Sequence, residues 1–250
     1  MNEPVITLHN ISKAYLHQSH GRGEKMIALK SINLTIMRGE FFVFIGPSGS
    51  GKSTLLRIMN GLDKEYEGSI TLGSADLLSP MGFVFQQFAI FPWLTVFENV
   101  ALSLSAYPLS DTVKTERVKN ELSQLGLATY MHSYPRELSG GMKQRVGIAR
   151  ALVGNPKIIF MDEPFSELDS FIAKELRQEL LTIWQERKTT IIMVSHVIQE
   201  AIELADRIAV FTPRPGTIEK IFTNPLPRPR KERSEPFYQL EDQLYTILKP

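Results

Sequence analysis

Cysteine is missing from all 250 residues. Disulfides, thiolate metal sites and a cysteine nucleophile are therefore excluded, and a reducing cytosol is the expected setting. Long apolar runs are missing too. No stretch approaches the ~20 residues that a membrane span needs, so any work at a membrane requires other chains to supply the channel. Met1 to Ile11 lacks a basic segment followed by an apolar run, and no signal peptide is expected there. An excess of charge of either sign is also absent. The formal net charge of +1 gives no global pull toward nucleic acid or anionic lipid. No internal repeat and no long coiled-coil pattern is present, which argues for one working unit rather than a tandem pair.

What is present suits a soluble globular chain, with 43% hydrophobic and 22% charged residues. The length fits one large α/β domain with room for an inserted lobe, and it can bury a sizeable core. Val5 to Ile11 alternates like an edge strand, and the polar, Gly-bearing stretch His17 to Lys25 reads as a loop. Ala28 to Ile36 is a further strand with Arg38-Gly39 as its turn. Phe41 to Ile45 is a continuous apolar run ending at glycine, the pattern of a parallel strand covered on both faces. A helix is expected from Thr54 to Leu62, strands at Gly68 to Leu72 and Gly82 to Phe85, and a helical lobe from Thr95 to Leu152. Strands return at Ile158 to Met161, Thr189 to Val194 and Ile208 to Phe211 with helices between. This alternation predicts a parallel sheet covered by helices.

After Phe211 the composition changes. Pro213, Pro215, Pro225, Pro227, Pro229 and Pro236 break regular structure, and residues 214–233 carry six basic side chains against two acidic ones. The stretch reads as a solvated linker or as a contact for anionic lipid or a partner. Phe237, Leu240, Leu244 and Leu248 then recur at helical spacing and suggest a short amphipathic helix.

The chemistry begins at Gly46-Pro47-Ser48-Gly49-Ser50-Gly51-Lys52-Ser53-Thr54. Residues 46–53 fit G-x-x-x-x-G-K-[ST] between a strand and a helix, the context a P-loop requires. The glycines let successive N–H groups turn onto phosphate oxygens, and the helix amino terminus adds its positive dipole end. Lys52 reaches the β- and γ-phosphates, and the Ser53 hydroxyl can ligate Mg²⁺. The apolar strand Ile158 to Met161 ends in Asp162-Glu163. Asp162 is assigned to hold Mg²⁺, usually through water, and Glu163 to polarise an attacking water. Without the P-loop the same pair would read as solvated carboxylates at a strand end. Leu138-Ser139-Gly140-Gly141-Met142-Lys143-Gln144-Arg145 has the form of a second anion nest, a hydroxyl and glycine N–H groups opening a helix.

With the P-loop ahead of it and Asp162 23 residues after Ser139, that octapeptide resembles the signature motif of ABC transporter ATP-binding subunits. The resemblance covers nearly the whole chain. It implies a P-loop NTPase, RecA-like α/β core with a mostly parallel sheet, a small N-terminal antiparallel β lobe and an inserted helical lobe. It implies a homodimer in which Ser139, Gly140, Gly141 and Asp169, the last in the D-loop Ser166-Glu167-Leu168-Asp169, contact ATP bound by the partner subunit. Gln86 resembles the Q-loop glutamine, a Mg²⁺ ligand, with Gln87 as the neighbouring alternative. His196 resembles the switch histidine at the γ-phosphate, although Val197 stands where an acidic residue is common. Tyr15 sits where the family stacks an aromatic on adenine, core packing being the other reading.

Phe211-Thr212-Pro213-Arg214-Pro215-Gly216-Thr217-Ile218 and the segment Phe85 to Val96 resemble the importer branch for nitrate, sulfonates, taurine and bicarbonate. The implied protein is an ATPase, using ATP and Mg²⁺, at the cytoplasmic face of the membrane as a peripheral subunit. It would couple hydrolysis to solute uptake through a separate membrane permease fed by an extracytoplasmic solute-binding protein. The implied domain spans 1–225 with the helical lobe at about 95–152, followed by a C-terminal extension at 226–250. A soluble ABC ATPase acting on nucleic acid or ribosomes is the alternative, disfavoured by the neutral charge, and no nucleic-acid partner is expected. A non-hydrolysing regulatory subunit is a third class, opposed by the presence of both Glu163 and His196. The aromatic stretch Phe88 to Phe97 reads either as core or as a docking surface, with Phe91, Trp93 and Leu94 facing a permease helix.

Overall fold

The computed structural model describes residues 3–19, 22–73 and 80–248. In chain order these form β1 (Pro4–Ser19), β2 (Arg22–Met37), β3 (Phe41–Ile45), α1 (Lys52–Met59), β4 (Glu67–Leu72), β5 (Met81–Val84), α2 (Val96–Ala101), α3 (Asp111–Gln124), α4 (Gly140–Leu152), β6 (Ile158–Asp162), α5 (Ser170–Arg187), β7 (Thr190–Val194), α6 (Ile198–Leu204), β8 (Arg207–Phe211), β9 (Ile218–Thr223) and α7 (Glu235–Leu248). Two compact units result, one from Met1–Leu78 with Thr190–Pro250, the other from Ser79–Thr189.

In the first unit, β1 pairs antiparallel with β2 on one side and β4 on the other. The edge-strand reading of Val5 to Ile11 is therefore corrected: β1 is central. Its alternation reports the buried face carrying Ile6 and Leu8, with Val5 buried on the opposite face, and carries no information about how many neighbours the strand has. The loop expected from His17 to Lys25 is corrected as well. Leu16↔Lys25, His17↔Glu24, Gln18↔Gly23 and Ser19↔Arg22 pair as a ribbon, because backbone hydrogen bonding satisfies a polar strand as well as an apolar one.

The same unit holds β3 between β7 and β8, all parallel, with β9 antiparallel on the outer side of β8. Every residue of β3 and β7 is buried, as the unbroken apolar runs require. Phe44 packs edge-on against both Phe42 and Phe211. Helix α1 ends at Met59, three residues earlier than expected. Gly61 adopts a left-handed φ of 79° and accepts the turn that stops it, leaving Leu62 exposed.

The basic segment 214–233 is no solvated linker, and that expectation is corrected. Ile218, Ile221 and Phe222 lie in β9, paired along β8, and the segment's arginines tie down α6. Arg228 donates to Asp206 at 2.5 Å and to the Leu204 carbonyl, and Arg230 donates to the carbonyls of Ile202 and Glu203 at 2.9 and 3.0 Å. These carbonyls lie in the last turn of α6, the negative end of the helix and a favourable seat for cations. Helix α7 packs on α6 and β8 through Phe237, Leu240 and Leu244.

In the second unit β5 and β6 pair in parallel from Met81↔Ile158 to Val84↔Met161. The helical stretch expected from Thr95 to Leu152 divides into α2, α3 and α4, with short 3-10 turns between them. Each helix starts on a hydroxyl cap. Thr95 and Glu98 form a reciprocal capping box at α2, Ser110 caps α3 and Ser139 caps α4. Arg187 of α5 grips the buried Glu121 of α3 at 2.9 Å, and Arg145 of α4 holds Glu179 of α5 at 2.7 Å. Burial raises the Glu121 carboxyl above its usual range against the pull of Arg187.

Candidate functional site

The loop between β3 and α1 carries the phosphate-binding sequence. Gly49 and Gly51 sit at φ 74° and 94°, a region side-chain-bearing residues rarely adopt, and a Cβ on Gly51 would fall 2.7 Å from Leu29. Lys52, the first residue of α1, is only 4% exposed. Its ammonium curls back over the loop, donating to the carbonyls of Gly46 at 2.9 Å and Pro47 at 2.8 Å and to Ser50 Oγ at 3.3 Å. A cation thus sits inside a ring of backbone, at the start of a helix whose N–H groups face the same way.

The parallel register brings a second candidate to the same end of this sheet. Phe44 pairs with Val194, and Ser195 N donates to the Phe44 carbonyl at 3.0 Å. His196 follows, exposed. The loop bearing it is fixed through Ser195, whose hydroxyl donates to the buried Glu200 at 2.6 Å and accepts from the Val197 amide at 3.0 Å. This clamp works through the Val197 backbone, so the local hydrogen bonding does not depend on an acidic side chain at 197. Glu200 was not singled out as a site residue; a serine before the histidine and a carboxylate one helical turn beyond it was the available signal.

Tyr15, on β1, is 39% exposed and its hydroxyl lies 3.4 Å from both Thr54 Oγ1 and Asp63 Oδ2. It therefore stands beside the first turn of α1. Lys13 Nζ lies 5.0 Å from the ring centroid and donates to Asp63 at 2.9 Å. Burial alone would raise the Asp63 carboxyl, but hydrogen bonds from Lys13, the Glu65 amide and Tyr15 outweigh it and hold Asp63 below the usual carboxylate range.

The second unit gathers its own candidates. Val84 and Met161 are paired, so Gln86 and the Asp162-Glu163 pair leave from the same end of the β5–β6 pair. Asp162 is buried and Glu163 adopts φ 47°, an uncommon conformation for a residue with a Cβ. The following turn is closed by Ser166, which donates to the Glu163 carbonyl at 3.0 Å. Gln86 and Gln87 are both exposed.

Ser139 caps α4, accepting from the Met142 amide at 3.3 Å, and Asp169 caps α5, accepting from Phe171 and Ile172 amides at 3.1 Å each. These two helix starts are in contact. A Cβ on Gly141 would fall 2.5 Å from Ile172, so glycine is what lets α4 approach α5 there. The hydroxyl and carboxylate singled out in the sequence thus already serve as helix caps within the subunit.

Ahead of α2, the aromatic loop is held from below. Buried Asn99 accepts from the Phe91 amide at 2.8 Å and donates to the carbonyls of Phe91, Leu94 and Thr95. Arg150 of α4 donates to the Ala89 carbonyl at 2.6 Å and the Phe88 carbonyl at 3.5 Å. Trp93, tilted against Phe91 with ring centroids 5.4 Å apart, is 69% exposed. Asn99 and Arg150 escaped the sequence reading; a polar residue at an apolar position of a helical period was the only sign of either.

The described family that matches is "ABC transporter", over residues 29–166. The chain is similar to the aliphatic sulfonates import ATP-binding protein SsuB of Bacillus cereus, 42% identical over 243 residues, covering 96% of this chain and 94% of that protein. It is 40% identical over 241 residues to the nitrate import ATP-binding protein NrtD of a Synechocystis species, with 92% and 91% covered. Among solved structures it resembles an ATP-binding cassette captured as a dimer in a post-hydrolysis state bound to ADP and Pi. That match has a TM-score of 0.75 at 35% identity, over 91% of this chain and 100% of that one.

Proposed function

Because the chain belongs to the ABC transporter family, we propose that it is the ATP-hydrolysing subunit of an importer and drives uptake of a small solute through a separate membrane permease. The similarity to sulfonate and nitrate import subunits, running over more than nine-tenths of the chain, carries this reading. It supports a solute of the sulfonate, nitrate or taurine class. Among the described residues no helix is long and apolar enough to cross a membrane. The similarity to importer ATP-binding subunits supports a peripheral subunit at the cytoplasmic face. The partners are a second ATP-binding subunit, here a second copy of this chain, the permease, and through the permease an extracytoplasmic solute-binding protein.

Gly46, Pro47, Ser48, Gly49, Ser50, Gly51, Ser53 and Thr54 cradle the phosphates of ATP with backbone N–H groups and hydroxyls, and Tyr15 stacks on the adenine. Lys52 exchanges its loop oxygens for phosphate oxygens and neutralises charge that grows in the transition state. Ser53, Gln86 and Asp162 offer hydroxyl, amide and carboxylate oxygens, the hard donors Mg²⁺ prefers. The described residues hold no cluster of three or more His, Asp or Glu groups, which suits an ion that keeps waters and phosphate oxygens in its shell. The ion, when bound, neutralises phosphate charge. Glu163 orients the attacking water and takes its proton, and His196 steadies the γ-phosphate. Ser139, Gly140, Gly141 and Asp169 meet the ATP held by the partner copy. Trp93 and its neighbours Phe91 and Leu94 form the seat for the permease.

The test is reconstitution with a membrane permease that co-purifies with the chain. ATP hydrolysis by the assembled complex should rise with the transported solute and its binding protein, and sulfonates and nitrate should be among the solutes tried. Turnover that responds to nucleic acid or ribosomes and to no permease would overturn the importer reading.

A further inference from the structure

The Pro-Arg-Pro-Gly turn marks a branch of the family in sequence yet takes no part in the chemistry above. In the structure it is a closed turn lying against the phosphate loop. Thr212 N donates to the Thr217 carbonyl at 3.0 Å and Thr217 N to Thr212 Oγ1 at 3.0 Å. Gly216 N donates to the Ala28 carbonyl at 2.9 Å while its own carbonyl accepts from Lys30 N at 3.0 Å. A Cβ on Gly216 would overlap the Ser50 carbonyl oxygen, so the backbones of turn and loop touch. From this seat Arg214 Nε donates to the Gly49 carbonyl at 3.2 Å, and Nη1 reaches Met26 Sδ at 2.9 Å.

A trans peptide places its C=O and N–H on opposite edges of one plane. Gripping the Gly49 carbonyl from outside therefore also sets the direction of the Ser50 N–H, which points back across the loop to the Pro47 carbonyl at 3.3 Å. Gly49 has no side chain to restrict its rotation, so the plane is held by two bonds, Arg214 on the carbonyl edge and the Pro47 carbonyl on the amide edge. The guanidinium is anchored at two atoms on two different segments, which a lysine ammonium on a flexible stem would not reproduce. We infer that Arg214 is a positioning residue for nucleotide binding: with the Ser50 N–H held on the Pro47 carbonyl and the Gly49 carbonyl held outward by the guanidinium, the Gly49–Ser50 peptide is locked and the phosphate loop keeps one shape before nucleotide arrives. The inference rests on reading residues 46–54 as the phosphate cradle.

The experiment measures ADP affinity, and KM and kcat for ATP, on the full chain carrying Arg214→Ala, Arg214→Lys or Arg214→Gln, with melting temperature without nucleotide as a check on folding. Arg214→Ala should weaken ADP roughly tenfold, the scale of one hydrogen bond to a charged group. It should raise KM for ATP while kcat moves little, because the loop is prepared before the reaction begins. Arg214→Lys should stay near the alanine variant, and Arg214→Gln, which keeps a planar donor without charge, should recover part of the loss. Unchanged ADP affinity in Arg214→Ala overturns the inference. So does full recovery by lysine, which would assign the effect to charge, or a fall in melting temperature with no change in affinity. Lys52→Ala serves as the reference: if that variant also binds ADP normally, the cradle itself is misread, whereas loss there with no effect at Arg214 sinks the positioning role alone.

Discussion

Lys52 offers the sharpest test at the scale of one residue. Its ammonium is the only charge seen inside the described part of the loop, held by three oxygens. Lys52→Ala should abolish productive ATP binding, read as lost nucleotide affinity and turnover; near-normal turnover would remove the loop from the mechanism. Glu163→Gln should bind ATP and fail to hydrolyse it, since an amide keeps the shape and cannot accept a proton. ATP should then hold a dimer visible by light scattering, and a normal hydrolysis rate would exclude Glu163 as the base. Tyr15→Ala should weaken nucleotide binding by about 1–3 kcal/mol, the scale of base–aromatic stacking, while Tyr15→Phe, losing only two contacts at 3.4 Å, should be nearly silent. Residues of this kind were legible in the sequence because the chemistry dictates their spacing along the chain. Arg150 and Arg214 were not, because each acts on a partner chosen by the folded approach of distant segments, 61 residues apart for Arg150 and Ala89 and 165 for Arg214 and Gly49.

Among the elements, the strands with unbroken apolar runs were readable almost to the residue. Phe41–Ile45 appears with the expected bounds because a doubly covered strand has no alternative use for five apolar side chains. β9 was hidden, since its run is short and embedded in prolines and arginines that also suit a linker. The same segment yields a prediction about stability. Arg230 is buried enough that its guanidinium falls to about 10, through burial first and then repulsion from Arg228, yet it stays charged at neutral pH. Arg230→Ala would leave the carbonyls of Ile202 and Glu203 without that donor and should cost about 1–3 kcal/mol. Leu244→Ala, which empties the fully buried contact of α7, should cost about 2–5 kcal/mol. Both should lower the melting temperature while ATP affinity in the surviving folded protein stays close to normal, because among the described residues the proposed nucleotide residues, and Arg214 with them, make no hydrogen bond to Arg230 or Leu244. A folded truncation lacking residues 226–250 that cannot bind ATP would show that the tail completes the site.

For the whole molecule, the question is how a nucleotide signal and a membrane partner meet. Polar substitution at Trp93, already 69% exposed, should leave the isolated subunit folded with its basal ATPase, and should weaken assembly with the permease or uncouple hydrolysis from uptake. Normal uptake in Trp93→Gln and in equivalent changes at Phe91 and Leu94 would return the stretch to a packing role. The grip of Arg150 on the Phe88 and Ala89 carbonyls has a mechanical consequence. Arg150 lies near one end of α4 and the Gly140-Gly141 start lies at the other, about 15 Å away at the rise of an α-helix. Along the same flank Gly82 lets β5 press so close that an added Cβ would fall 2.7 Å from the Ala151 carbonyl, leaving the helix no slack against the strand. A push on the aromatic loop would therefore load α4 as a strut, wedged by β5 near one end and by Ile172 against Gly141 at the other, and would pass along its length to the start of α5.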